Sequence, residues 1–179
     1  MKRLLLIASL FIGSLALNAQ SYPSGGGHTP ERLKELAAEH QELLQEARTN
    51  STTAYKVAVR YFTGKRVKPN QANGLAYLKH AAGFTNSPNY LAVHDLGVAT
   101  YWGFSTIKQD KEEGRRLVLK ACEGANITDT NQVQEVLAQA LGGTAKPFDP
   151  IHQSGRFINY SRLNYKAPST EDKKVTKPD

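Results

Sequence analysis

The sequence contains the same pattern twice, and no other feature limits the possible folds as tightly. "VAVRYFTG" (57–64) lies over "LGVATYWG" (96–103) at an offset of 39. Val57 matches Leu96, Ala58 matches Gly97, Phe62 matches Tyr101 and Gly64 matches Gly103. Past the glycines the offset becomes 40. Asn70 then matches Asp110, Gly74 matches Gly114, Tyr77 matches Leu117, and Ala81–Ala82 match Ala121–Cys122 at that offset of 40. A partial third copy, also at 40, holds Val136–Leu137, Ala140–Leu141 and Gly143.

Each copy reads as a helical hairpin. Val57, Ala58, Tyr61 and Phe62, and in the second copy Leu96, Gly97 and Tyr101, form a buried helical stripe. Gly64, Gly103 and Gly143 stand where a helix ends in the left-handed conformation. Asn70 and Asp110 are good N-caps, and Asp110 with Glu113 has capping-box spacing. Ser87–Pro88 reads as the start of the second copy's first helix. Ala58 and Gly97 are equivalent small residues, expected to face Ala81–Ala82 and Ala121–Cys122 across the hairpins so that the helix axes come close.

This pattern resembles the Sel-one-like repeat, a relative of the tetratricopeptide repeat. Its motif runs Leu-Gly, Tyr, Gly-x-Gly-Val, Asp, Lys-Ala, an aromatic and Ala-Ala. Leu96–Gly97 and Gly103 fit it in one copy, Tyr61, Gly64 and Val67 in the other, with Asp110, Tyr77 and Ala81–Ala82. Arg66 and Ser105 replace the second loop glycine, Thr100 the tyrosine, and Leu117 the aromatic. The resemblance spans about residues 53–143. It implies an all-α fold: a short right-handed α-solenoid of about two and a half hairpins. Such arrays normally need about three units, so caps are expected. Thr29–Ala47 reads as an amphipathic N-terminal cap helix with Thr29 as N-cap and Pro30 at the first helical position. The tail from 144 to 179 is expected to be irregular, first basic and aromatic ("GRFINYSRLNY"), then polar and disordered. Residues Arg156, Phe157, Tyr160, Arg162, Leu163 and Tyr165 could dock along the last helix or form a partner-binding arm.

The first nineteen residues read as a secretory signal peptide: Lys2 and Arg3, an apolar run from Leu4 to Leu17, and a cut after Ala19. Residues 20–28 read as a flexible leader and 29–143 as the repeat domain with its cap. Loss of Lys2 and Arg3 lowers the net charge from +7 by two. Export and this mild excess make nucleic acid an unexpected partner, and no integral membrane segment is expected after cleavage. The expected location is periplasmic or secreted. The single cysteine, Cys122, can form no internal disulfide and matches the packed Ala82.

No catalytic or metal-binding constellation stands out, and no cofactor is expected. Ser105 and Lys108 have Ser-x-x-Lys spacing but fall in a loop, with neither Ser-Asp-Asn nor Lys-Thr-Gly elsewhere. Histidines 28, 40, 80, 94 and 152 lack metal spacing, and His40 reads as lying on the polar edge of the cap helix. First helices of such arrays line the concave face. Lys56, Arg60 and Thr63 make one stripe there, and Asp95, Ala99 and Trp102 the matching one. Lys56, Arg60, Thr63, Asp95 and Trp102 are therefore the candidate partner-binding residues, with Arg60 and Trp102 at the centre. The resemblance implies a non-enzymatic protein-interaction module or adaptor of the bacterial envelope. Its alternatives are a periplasmic immunity protein that blocks a toxic effector, a cell-wall or β-lactam hydrolase, and a self-associating envelope protein.

Overall fold

A computed structural model describes residues 29–144, 148–150 and 154–164. The expected signal peptide, the leader with His28, His152 and the tail beyond 164 with Tyr165 lie outside the described residues. Among the described residues the fold is all-α. Its helices are α1 (Pro30–Glu46), α2 (Ser51–Thr63), α3 (Gln71–Ala82), α4 (Tyr90–Trp102), α5 (Lys111–Gly124), α6 (Thr130–Leu141) and α7 (Gly155–Leu163). No described helix is long and apolar enough to cross a membrane.

Caps set most helix starts. The side chains of Thr29, Asn50, Asn70, Asn89, Asp110 and Asp129 each accept from a backbone N–H in the first turn. Each such bond contributes about 1 kcal/mol. The start expected at Ser87–Pro88 is corrected: Asn89 caps α4, which begins at Tyr90. Asp110 accepts from Glu113 N at 2.9 Å, but the Glu113 carboxylate turns to Arg116 instead of completing a capping box.

Successive helices touch one another, most extensively α2 with α3 and α4 with α5. Gly74, early in α3, lies under the ring of Phe62 at the end of α2, and Gly114, early in α5, lies against Tyr101 at the end of α4. These two contacts are equivalent in the repeat. Gly97 packs on Gly114, Leu117 and Val118. The close approach expected there is present, one turn nearer the loop than Ala121–Cys122. Both inter-helix loops take the same unusual path. Gly64 and Gly103 have φ of 70° and 71°, and two residues on Arg66 and Ser105 have φ of 64° and 56°. The left-handed step at the third loop position thus persists where no glycine supplies it.

One core gathers α1–α3 and Ala92 of α4 around Val57, Tyr61 and Leu78, and a second gathers α4–α7 around Val98, Val118, Ile127 and Val136. Fully burying one such aliphatic side chain contributes roughly 1.5–3 kcal/mol. Ala82 and Phe148 pack against both cores and join them.

The expectation of an irregular tail from 144 is corrected at α7. This helix lies antiparallel on α6: Arg156 pairs with Glu135, Tyr160 Oη donates to Glu135 at 2.5 Å, and Asn164 Nδ2 donates to Gln132 at 2.8 Å. A nine-residue helix is marginal alone. Docking of Phe157, 2% exposed, into the second core stabilises it.

Candidate functional site

A cleft of about 630 Å³ runs between α1 and α2. Glu39, Glu42 and Glu46 line one wall, Lys56, Arg60, Lys65 and Arg66 the other, and Leu43, Tyr55 and Val59 give it an apolar floor. The walls face because α1 and α2 run antiparallel, tied by Glu39–Arg60 at one end and Glu46–Thr53 at the other. Glu39 takes Arg60 Nη2 at 2.7 Å and Arg66 Nη1 at 2.8 Å, and these guanidinium contacts hold its carboxyl below the usual range. Glu46 is used locally, accepting from Asn50 and Thr53. Lys56 and Lys65 have no ion-pair partner among the described residues. The cleft therefore presents two uncommitted cations beside an apolar floor.

Beneath α1, His40 is 2% exposed and shares a 3.1 Å hydrogen bond with Tyr61 Oη. Its expected place on the polar edge is corrected: His40 turns inward, where its ring meets the buried Tyr61 hydroxyl. Burial, and then the Arg60 charge, lower the pKa of His40.

The candidate stripe divides. Lys56, Arg60 and Thr63 share one side of α2, with Lys56 and Thr63 exposed. Asp95 does not extend that surface. It is 0% exposed, accepts from Tyr55 Oη at 2.7 Å and from His94 Nδ1 at 2.9 Å, and its neighbour His94 is equally buried. Desolvation raises the Asp95 pKa despite those two donors, and burial raises that of Tyr55. The Phe157 ring lies 4.8 Å from that of His94, and His94 Nε2 has no hydrogen-bond partner among the described residues. Trp102 does not stand beside Arg60. Its Nε1 donates to the Ala140 carbonyl at 3.2 Å, and its ring packs with the second core. The stripe expected to be exposed on α4 is thus closed off, at Asp95 by Tyr55 of α2 and at Trp102 by α6.

Cys122 is buried, and burial pushes its thiol up to about 11. Ser105 is exposed at its left-handed loop position, and Lys108 is exposed three residues on. Among the described residues no group of three or more His, Cys, Asp or Glu is placed to hold a metal ion.

The sequence reading missed Glu39, Glu42, Lys65 and Arg66 as cleft residues. Their signal was available: an acidic row at i, i+3, i+7 on α1 and a basic loop after Gly64. Comparison with family models, with curated proteins and with solved structures finds no match for this chain.

Proposed function

We propose that this chain is an exported, non-enzymatic protein-interaction module of the Sel-one-like type, holding a protein partner at the α1–α2 cleft. The repeated hairpins support the array reading, with their matched glycine contacts and matched left-handed loop steps. In that reading α2 to α7 wind as a short right-handed solenoid, and α1 covers its first hairpin. The observation that carries the binding site is the pair Lys56 and Lys65, both exposed and with no carboxylate partner among the described residues, beside Leu43 and Val59. An acidic segment with an apolar neighbour is the complementary surface. Charge complementarity of this kind sets partner choice and association rate more than bare affinity.

The test is an affinity capture from the envelope of the source cell. The normal chain is compared with a Lys56→Glu, Lys65→Glu variant whose helicity is checked by circular dichroism. A partner kept by the normal chain and lost by the variant supports the cleft, and its identity separates an adaptor from an immunity protein. Equal retention by both moves the site elsewhere.

A further inference from the structure

Helix α1 is long but thinly anchored. Of its 17 residues only Leu36 and His40 are buried, with Leu43 and Leu44 half-buried against the first core. One of its two buried anchors is thus a titratable ring. The His40 ring meets that of Tyr61 edge to face, 5.4 Å between centroids. Its Nε2 shares the 3.1 Å hydrogen bond with the Tyr61 hydroxyl. Its Nδ1 is buried with no hydrogen-bond partner among the described residues.

The groups that face this ring leave no place for a second proton. Arg60 and Tyr61 approach from α2, and Tyr77 of α3 stacks behind Tyr61 at 6.0 Å. From α1 itself comes Glu39, whose carboxylate already takes both Arg60 and Arg66. A protonated His40 would hold a charged N–H in a buried site without an acceptor, close to a guanidinium. Burial and then the Arg60 charge therefore lower its pKa, and Glu39 offsets them only in part. Off α2, the same ring meets water and takes its second proton without that penalty.

We propose that α1 is a pH-gated cover of the cleft: its docking on α2 holds while His40 is neutral and weakens as the ring takes up a proton. Linkage fixes the direction. The docked form resists a proton that the released form accepts near the ordinary 6.5, so docking is complete above that value and is lost as pH falls from it toward the lowered one. Glu39, whose carboxyl is also held low, acts in the same direction but only below its ordinary 4.5, so the two windows are separate. Release carries Glu39, Glu42 and Leu43 away and leaves Lys56, Arg60, Lys65 and Arg66 as a wholly basic face. That consequence for binding rests on the cleft reading. The gate itself is measured with no partner present, so the two can fail separately.

The experiment is hydrogen exchange of the full chain at about pH 7.5 and about pH 5.5, each amide rate taken relative to its intrinsic rate at that pH. Protection across Pro30–Glu46 is expected to fall at the lower pH by about threefold to about tenfold, the upper limit for one proton gained by the released form a unit below its ordinary value. Protection across Tyr90–Trp102 is expected to hold. His40→Gln, neutral at both pH values, is expected to abolish the fall. Equal protection of α1 at both pH values, a fall that survives His40→Gln, or an equal fall across Tyr90–Trp102 overturns the proposal. If His40→Gln leaves α1 undocked at the higher pH, the unaltered chain gives the answer by nuclear magnetic resonance. The His40 ring should then titrate with a midpoint below 6.5. A midpoint at or above that value overturns the proposal as well.

Discussion

Gly97 of α4 rests on the backbone of Gly114 in α5, so closely that a Cβ on Gly97 would lie 2.8 Å from the Gly114 carbonyl oxygen and 2.9 Å from Val118 N. Both obstacles are main chain and cannot turn aside. Gly97→Ala adds about 1 kcal/mol of helix propensity, yet overpacking at a backbone contact costs roughly 1–3 kcal/mol. The expected outcome is a less stable protein, read as a lower urea midpoint with an unchanged slope.

Ser105 sits in the left-handed region at φ 56° with no hydrogen bond among the described residues, and it is exposed. Such a residue carries strain on the order of 1 kcal/mol that glycine does not. Ser105→Gly should raise the thermal midpoint. Arg66→Gly relieves the same strain but loses the Arg66–Glu39 pair, so its gain should be smaller. Equal gains at both positions would show that the ion pair contributes nothing.

Asp95 makes stability depend on pH in an unusual direction. Its native pKa is raised above the ordinary 3.8 by desolvation, so the native state holds a proton that the unfolded state has released. The stability linked to that proton is complete below the unfolded value and is lost as pH rises through the native one. Urea midpoints from about pH 4 to about pH 8 should fall for the normal chain relative to Asp95→Asn. Tyr55→Phe leaves Asp95 Oδ2 without its donor and should cost about 1–3 kcal/mol. A constant difference between the normal chain and Asp95→Asn across that range would refute the assignment.

Cys122 should be chemically silent while the protein is folded. With its thiol pushed up to about 11, the thiolate fraction near pH 8 is about one in a thousand. Iodoacetamide should label the unfolded chain completely in a time that leaves the native chain unlabelled. Mass spectrometry reads both states directly.

The local features were legible because they depend on neighbours in sequence. Thr29, Asn70 and Asp110 cap as read, and Gly64 and Gly103 end their helices in the left-handed region. Asn89 was passed over because the adjacent Ser87–Pro88 offers an equally good starting signal. What the repeat alignment could not say is which surfaces stay open. Asp95 and Trp102 fall on the expected face of α4, but Tyr55 of α2 closes on the one and α6 lies over the other. One clue was present in α4 itself. "YLAVHDLGVATYW" has no lysine, arginine or glutamate, and eight of its thirteen residues are buried. A helix without a polar face is surrounded on every side. The α1–α2 cleft was half legible, since the basic wall lies within one copy while the acidic wall comes from outside the repeat.

The sealing of His94 by Phe157 has a consequence for biosynthesis. Chains are made from the N-terminus, so α4 leaves the ribosome well before the helix that closes over it. Until Phe157 emerges, the nascent chain carries α4 with one flank bare, including a His–Asp pair that needs shelter from water to keep its geometry. Emergence of α7 therefore completes the burial of α4. A ribosome stalled before α7 would display an adhesive, chaperone-recruiting intermediate in place of a smaller finished protein.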